Sequence, residues 1–244
     1  MANQNSSPTV VTLVTGAAGA IGSSMVERFQ EDGGIVVAVD LSKPDGADSG
    51  SAVDWRPTDV GDETAVTELF AATLAEHGRL DNLVNCAGIT RDATLHKMTF
   101  DQWREVLRVN LDAAFLTTRA LVRHIRERGD GGAIVNIASI SGTRGNLGQG
   151  NYAASKAGLV SLTKVTAREI ARYGARANAI APGFIRSPMT DAIPDGIREE
   201  RAASAPLGRA GQPEEIASIA AWLCSDDSSF VTGTLVDASG GRGM

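Results

Sequence analysis

Long apolar runs are missing from this sequence of 244 residues. The longest fall far short of the ~18–20 residues that a membrane-spanning helix needs, so a soluble protein with no membrane partner is expected. Cysteine is scarce: Cys86 and Cys224 stand far apart, in apolar settings and without metal-ligand spacing, so no metal site is expected. Two buried, reduced thiols fit a cytoplasmic protein, and one long-range disulfide stays open as the second reading. Positive charge is outnumbered, with 23 Lys and Arg against 29 Asp and Glu and a formal charge of -6. A nucleic-acid binder needs a basic stripe to displace counterions, and none is present. Aromatics are few, at 5%. Met1 to Pro8 lacks the basic start and apolar core of a signal peptide and is expected to be disordered.

What is present is a globular composition, 43% hydrophobic, with 27 glycines. The length suits one domain, here residues 9–244, because α/β folds reach ~250 residues as a single unit. Short β-branched runs alternate with amphipathic stretches. Strands are expected at Thr9 to Thr15, Ile35 to Asp40, Leu80 to Asn85, Ala133 to Ala138, Arg176 to Ile180 and Thr234 to Asp237. Helices are expected at Ala20 to Asp32, Glu63 to His77, Phe100 to Arg128, Tyr152 to Tyr173 and Pro213 to Cys224. This alternation predicts βαβ units and a doubly wound, Rossmann-type parallel sheet with helices on both faces. Ser42 to Ser51 reads as a polar surface loop. Pro182 to Pro206 reads as irregular, and its part from Phe184 follows a strand's carboxyl end, where a substrate loop belongs.

Thr15 to Gly22 (TGAAGAIG) lies between the first strand and the first helix. Small residues there let backbone N–H groups and a helix N-terminus approach a pyrophosphate. A glycine turn alone is a weak signal; its placement, with Asp40 ending the next strand, strengthens it. A carboxylate at that point accepts hydrogen bonds from ribose hydroxyls and repels a 2′-phosphate. Leu41 follows it, Gly19 has no side chain for a phosphate, and Lys43 is the one neighbouring cation in the sequence. NAD(H) is therefore favoured over NADP(H).

Tyr152 and Lys156 stand one helical turn apart on a common face. An ammonium beside a phenol stabilises the phenolate and lowers its pKa from ~10. Ser139 ends a buried strand (IVNIAS), where its hydroxyl would face the same crevice. Asn110 interrupts an apolar helix face (VLRVNLDAAF), either bending the helix through its own backbone or holding a water.

Together these motifs resemble the single-domain short-chain dehydrogenases/reductases, over nearly the whole chain from Thr9 to Gly241. The resemblance implies a cofactor turn made by Gly16, Gly19, Ala20, Ile21 and Gly22. It also implies an adenine contact at Asp59 and Val60, and a site wall at Asn85, Ala87 and Gly88, with Cys86 in place of a second Asn. Nicotinamide contacts are implied at Pro182, Gly183, Ile185 and Ser187. Asn110, Ser139, Tyr152 and Lys156 fall on the family's catalytic tetrad. Tyr152 would then exchange the proton, Ser139 place the substrate oxygen, Lys156 bond the nicotinamide ribose and hold down the tyrosine pKa, and Asn110 order a water.

The segments Gly88 to Met98, Gly145 to Leu159, Ala181 to Thr190, Gly208 to Ala217 and Val231 to Gly241 resemble β-ketoacyl carrier-protein reductases. The implied substrate is a 3-oxoacyl thioester of acyl carrier protein or CoA. Asp40 departs from those relatives, which usually take NADPH and often carry a basic residue where Gly19 lies. Arg126, Arg128, Arg168 and Arg172 are candidates for a carrier-protein patch at the active-site mouth. Phe184, Ile185, Arg186, Met189, Arg198 and Arg201 suit an acyl chain with a charged tail. The alternatives are a dehydrogenase of another secondary alcohol (sugar, steroid or cyclic) and, more distantly, a non-catalytic dinucleotide-binding module. Relatives usually form tetramers through their two longest helices, so a homotetramer or homodimer is expected.

Overall fold

The computed structural model describes residues 9–46, 52–191 and 194–244. Residues 1–8 and 47–51, and with them the expected N-terminal disorder and the end of the expected polar loop, lie outside the described residues, as does the Met189 side chain.

The β-branched runs form the strands. They are β1 (Val11–Thr15), β2 (Ile35–Asp40), β3 (Val53–Pro57), β4 (Asn82–Asn85), β5 (Gly132–Ile137), β6 (Ala175–Pro182) and β7 (Leu235–Ala238). All pair in parallel, in the order β3-β2-β1-β4-β5-β6-β7. Parallel strands need helical crossovers, and those cover both faces. On one face, α1 (Ala20–Glu31) packs with α9 (Pro213–Cys224) through Met25, Phe29, Ile216 and Leu223. On the other lie α2 (Glu63–His77), α4 (Ala113–Arg128) and α6 (Gly150–Ile170), contributing Leu69, Phe70, Leu121, Ile125 and Ile170. Each such side chain stabilises the fold by roughly 1.5–3 kcal/mol on burial. The chain reverses its direction of winding between β1 and β4, which opens a crevice at their carboxyl ends.

The expected single domain with a Rossmann-type sheet is what the described residues form, and three local expectations need correction. Strand β3 had no counterpart in the sequence reading. It is an edge strand with only Val53 buried, so Asp54, Trp55 and Arg56 give it no apolar pattern. The expected helix from Phe100 to Arg128 is three pieces: α3 (Phe100–Leu107), a π-helical turn (Arg108–Asp112) and α4. Thr99 and Gln102 close a capping box at its start, while the Ala113 N–H reaches back to Arg108 O and widens the turn around Asn110. Within the stretch expected to be irregular lie α7 (Pro188–Asp191) and α8 (Asp195–Ala203), the latter a run of helix formers with Asp195 in its first turn. α5 (Ser141–Arg144) is a single turn after β5.

The expected carrier-protein patch does not face the crevice. α4 ends at Arg128 just before β5 begins, and α6 ends at Ile170 just before β6 begins, so both ends lie at the amino edge of the sheet. Arg128 turns inward to Asp81 at 2.9 Å, and Arg172 stacks on the Tyr173 ring, 4.8 Å from its centroid. Arg126 and Arg168 remain exposed on that far edge.

Candidate active site

An open cleft of about 850 Å³ lies at the carboxyl ends of the central strands. Ile21, Cys86, Gly88, Ser139, Tyr152, Lys156, Pro182, Gly183, Ile185 and Ser187 all line it, as do Phe184 and Arg186.

Its floor at the turn after β1 is backbone. Gly16 has φ +68, and a Cβ there would meet Ala87 N at 2.7 Å. A Cβ on Gly22 would meet Gly16 O at 2.0 Å, so helix α1 can approach the turn only without side chains. Thr15 Oγ1 accepts the N–H groups of Cys86 and Ala87 at 3.1 and 3.2 Å, which locks the β4 loop against the turn. Gly19 caps α1 with no side-chain acceptor, leaving first-turn N–H groups, including those of Ala20 and Ile21, for an anion. Asp40 stands beside them, its carboxylate accepting Ala18 N–H at 3.0 Å and Leu41 N–H at 2.7 Å. A bare cradle, uncapped N–H groups and a neighbouring carboxylate fit a dinucleotide.

Asp59 and Val60 lie farther along the rim. The Asp59 carboxylate accepts Gly61 N–H at 2.9 Å and pairs with Arg108 at 3.0 Å, while Val60 is buried. Asn85 faces away from the cleft. Its amide donates to Thr118 at 3.2 Å and Asn136 at 2.9 Å and accepts from Thr117 at 2.7 Å, so its side chain joins β4, β5 and α4. Only a positioning part in cofactor binding is open to that side chain.

Ser139 follows β5, and Tyr152 and Lys156 sit on the first turns of α6. Ser139 lines the cleft with Tyr152, and its Oγ accepts Ser141 N–H at 3.1 Å. Lys156 is buried, its Nζ donating to Ile137 O at 2.7 Å and lying 5.6 Å from the Tyr152 ring centroid. Burial pushes its ammonium down to about 8. Burial also raises the Tyr152 pKa above that of a free phenol, against the Ser139 hydrogen bond that lowers it. Desolvation is the largest of the causes acting on the phenol, and the Lys156 ammonium, bonded to Ile137 O, is not among them. Cys86 is the same case, its thiol pushed up by burial to about 11, so it is inert rather than nucleophilic. Both cysteines are free.

Asn110 is fully buried and does not bond its own helix. Its Oδ1 accepts Ile89 N–H at 2.8 Å, and its Nδ2 donates to Ile89 O and Ser155 Oγ, each at 3.1 Å. Ser155 Oγ–H donates in turn to Tyr152 O at 2.7 Å. Both amide hydrogens are therefore engaged within the protein, and Asn110 ties the β4 loop to the turn that carries Tyr152. Gly88 leaves room there, since a Cβ would lie 3.4 Å from both Asn110 Oδ1 and Lys156 Nζ.

The substrate loop divides. Phe184, Ile185 and Arg186 face the cleft, but Arg198 is paired with Asp195 and bonded to Asp191 O, and Arg201 is exposed. Ser187 Oγ accepts Thr190 N–H at 3.2 Å, closing the turn beside Gly183, itself pressed against Ser239. The sequence reading missed Thr15, Gln149 and Asn151; a buried Asn beside a helix-borne Tyr was the available signal.

A mononucleotide cradle, a carboxylate at the second strand and a Ser–Tyr–Lys cleft define an oxidoreductase of the nicotinamide-dependent class. The comparisons agree. Residues 16–242 match a family model described as enoyl-(acyl carrier protein) reductase. The chain is 43% identical to the 3-oxoacyl-[acyl-carrier-protein] reductase FabG of Thermotoga maritima, covering 95% of this chain and 96% of that protein. It is 39% identical to (3R)-3-hydroxyacyl-CoA dehydrogenase of Mus musculus over the whole of both chains. It is 43% identical to acetoacetyl-CoA reductase of Shinella zoogloeoides, covering 95% of this chain and 98% of that one. The chain belongs to the short-chain dehydrogenase/reductase family of oxidoreductases.

Proposed function

We propose that this protein reduces a 3-oxoacyl thioester to the 3-hydroxyacyl thioester and runs the reverse oxidation, with NAD(H) favoured over NADP(H). The observation that carries the reading is that Ser139, Tyr152 and Lys156 line one cleft together with Phe184, Ile185 and Arg186. That cleft offers apolar surface to an acyl chain and a cation to an anionic tail. The three relatives named above act on such thioesters by their names.

Gly16, Gly19, Ala20, Ile21 and Gly22 would hold the pyrophosphate, Asp40 the adenosine ribose, Asp59 and Val60 the adenine. Lys156, Tyr152, Pro182, Gly183, Ile185 and Ser187 would hold the nicotinamide end, against a wall formed by Ala87 and Gly88. The nicotinamide supplies or takes the hydride. The chain's own part is the proton. Ser139 places the ketone oxygen, and Tyr152, a neutral phenol whose pKa burial raises further, gives its phenolic proton to that oxygen. In the oxidative direction the phenolate takes the alcohol proton. Asn110 keeps the Tyr152 turn in place.

Carrier protein or CoA could bear the acyl group; Arg126, Arg128, Arg168 and Arg172 lie at the sheet's amino edge, away from the cleft. A homotetramer or homodimer is supported by Phe115 on α4 and Val165 on α6, both exposed, whereas Ile170 lies in the core. Among the described residues no helix is long and apolar enough to cross a membrane. A cytoplasmic site fits the two free thiols.

The test is acetoacetyl-CoA-dependent oxidation of NADH beside NADPH, in the wild type and in Asp40→Ala. NADH is expected to be the better substrate, and Asp40→Ala to narrow the gap by about tenfold, the effect of ~1.4 kcal/mol. A wild-type preference for NADPH overturns the cofactor assignment. Turnover with neither overturns the thioester.

A further inference from the structure

Beside Asn110 and Ser155, a second set of contacts holds the first turn of α6 in place. Gln149, at the N-cap position of α6, makes no side-chain cap. Its amide reaches two ways. Nε2 donates to the Asp92 carboxylate, at 3.0 Å to Oδ2 and 3.3 Å to Oδ1. Oε1 accepts from Asn146 Nδ2 at 3.0 Å and from Ser141 Oγ at 3.4 Å. The Ser141 N–H donates to Ser139 Oγ at 3.1 Å, and Ser139 lines the cleft beside Tyr152. A chain of polar contacts thus runs from Asp92 to Ser139, which faces the same cleft as the phenol.

The backbone is fastened at the same place. Ala93 N–H donates to Gly148 O at 2.9 Å, and Ala93 pairs with Gln149 in an isolated parallel bridge. Asn151 is wholly buried; its Nδ2 donates to Arg91 O at 3.0 Å and Gln102 O at 3.1 Å, and its Oδ1 accepts Tyr152 N–H at 2.8 Å. The loop after β4 is therefore bolted to the helix turn that presents Tyr152.

We propose that Asp92 is a positioning residue for the Ser139–Tyr152 pair, acting through Gln149, an inference that rests on Tyr152 being the proton donor. A carboxylate only accepts, so it fixes which end of the Gln149 amide it faces and leaves Oε1 to the two donors on the other side. A charge-assisted bond holds that orientation more firmly than a neutral one. With the Ser141 N–H on one lone pair of Ser139, the serine hydroxyl hydrogen is left for the cleft.

Asp92 also acts through space. After burial, its charge is among the causes that raise the Tyr152 pKa, so it helps the phenol keep its proton. The other titratable groups lining the cleft with Tyr152 are Cys86, Lys156 and Arg186. Cys86 is held as the neutral thiol, and Lys156 is bonded to Ile137 O. An acid kept protonated suits reduction.

Asp92→Asn keeps an acceptor for Gln149 and removes the charge; Asp92→Ala removes both. Rates of acetoacetyl-CoA reduction and 3-hydroxybutyryl-CoA oxidation across pH, with Tyr152→Phe alongside, separate the effects. Asp92→Asn is expected to shift the alkaline rise of oxidation to lower pH and to lower the plateau less than Asp92→Ala does. Asp92→Ala is expected to lose about tenfold or more in kcat with little change in KM, the signature of a misplaced donor. An unmoved profile in Asp92→Asn with wild-type kcat in Asp92→Ala overturns the proposal while Tyr152→Phe is inactive. Wild-type activity in Tyr152→Phe instead overturns the proton-donor reading on which it rests.

Discussion

Tyr152→Phe is expected to lower kcat for 3-oxoacyl thioester reduction by roughly 10²–10⁴-fold, the worth of one general acid. The phenylalanine keeps the ring, its packing and its place above Lys156, so only the hydroxyl is lost. Dinucleotide binding, read by quenching of protein fluorescence, is expected to weaken far less than kcat falls, because Lys156 and the glycine turn keep their contacts. The pH dependence has a definite sign. Burial raises the tyrosine pKa, so the reductive reaction, which needs the phenol, persists into alkaline pH. The oxidative reaction needs the phenolate and rises only as pH climbs toward that pKa. A variant that keeps more than about a tenth of the wild-type rate contradicts the assignment.

Asp81→Ala is expected to destabilise the fold by about 2–3 kcal/mol, because it takes a buried acceptor from three partners at once. The Asp81 carboxylate accepts Val11 N–H at 2.9 Å, pairs with Arg79 at 2.6 Å and with Arg128 at 2.9 Å, and is buried. Its own N–H and C=O join β1 to β5 through Val11 and Ala133. The side chain thus fastens β1 and the end of α4, and the backbone of the same residue adds β5, at the sheet's amino edge. Although burial opposes it, the hydrogen bonds from Arg79 and Val11 hold its carboxyl below the usual range. A depressed carboxylate stabilises the fold above its unfolded pKa of ~3.9, and that share is lost as pH falls through the folded value. Urea midpoints should therefore differ most between wild type and variant at neutral pH and converge in acid. Equal midpoints at neutral pH contradict the staple.

Most of the architecture was legible because a parallel sheet buries whole β-branched runs, and TLVT, IVVAVD and GAIVNI announce themselves. The edge strand β3 escaped because one face meets solvent and its sequence, VDWRP, carries charge instead of a pattern. The π-turn at Asn110 escaped because its cause is tertiary: Ile89 and Ser155, distant in sequence, draw the amide out of the helix. The residues lining the cleft were readable as motifs. Their protonation was not, since it depends on burial, and Lys156 beside Tyr152 in sequence says nothing about Ile137 O taking its ammonium. The four arginines looked like one patch along two helices. Only the direction of those helices puts them at the sheet edge away from the cleft.

The central claim is hydride addition to a 3-oxo carbon with the proton from Tyr152. The most direct test uses NADH deuterated at C4 on the transferred face, with acetoacetyl-CoA, and mass analysis of the product. Deuterium at C3 of 3-hydroxybutyryl-CoA, absent with Tyr152→Phe, is the expected result. Deuterium in butyryl-CoA formed from crotonyl-CoA, with acetoacetyl-CoA left unreacted, would contradict it and make the protein an enoyl reductase.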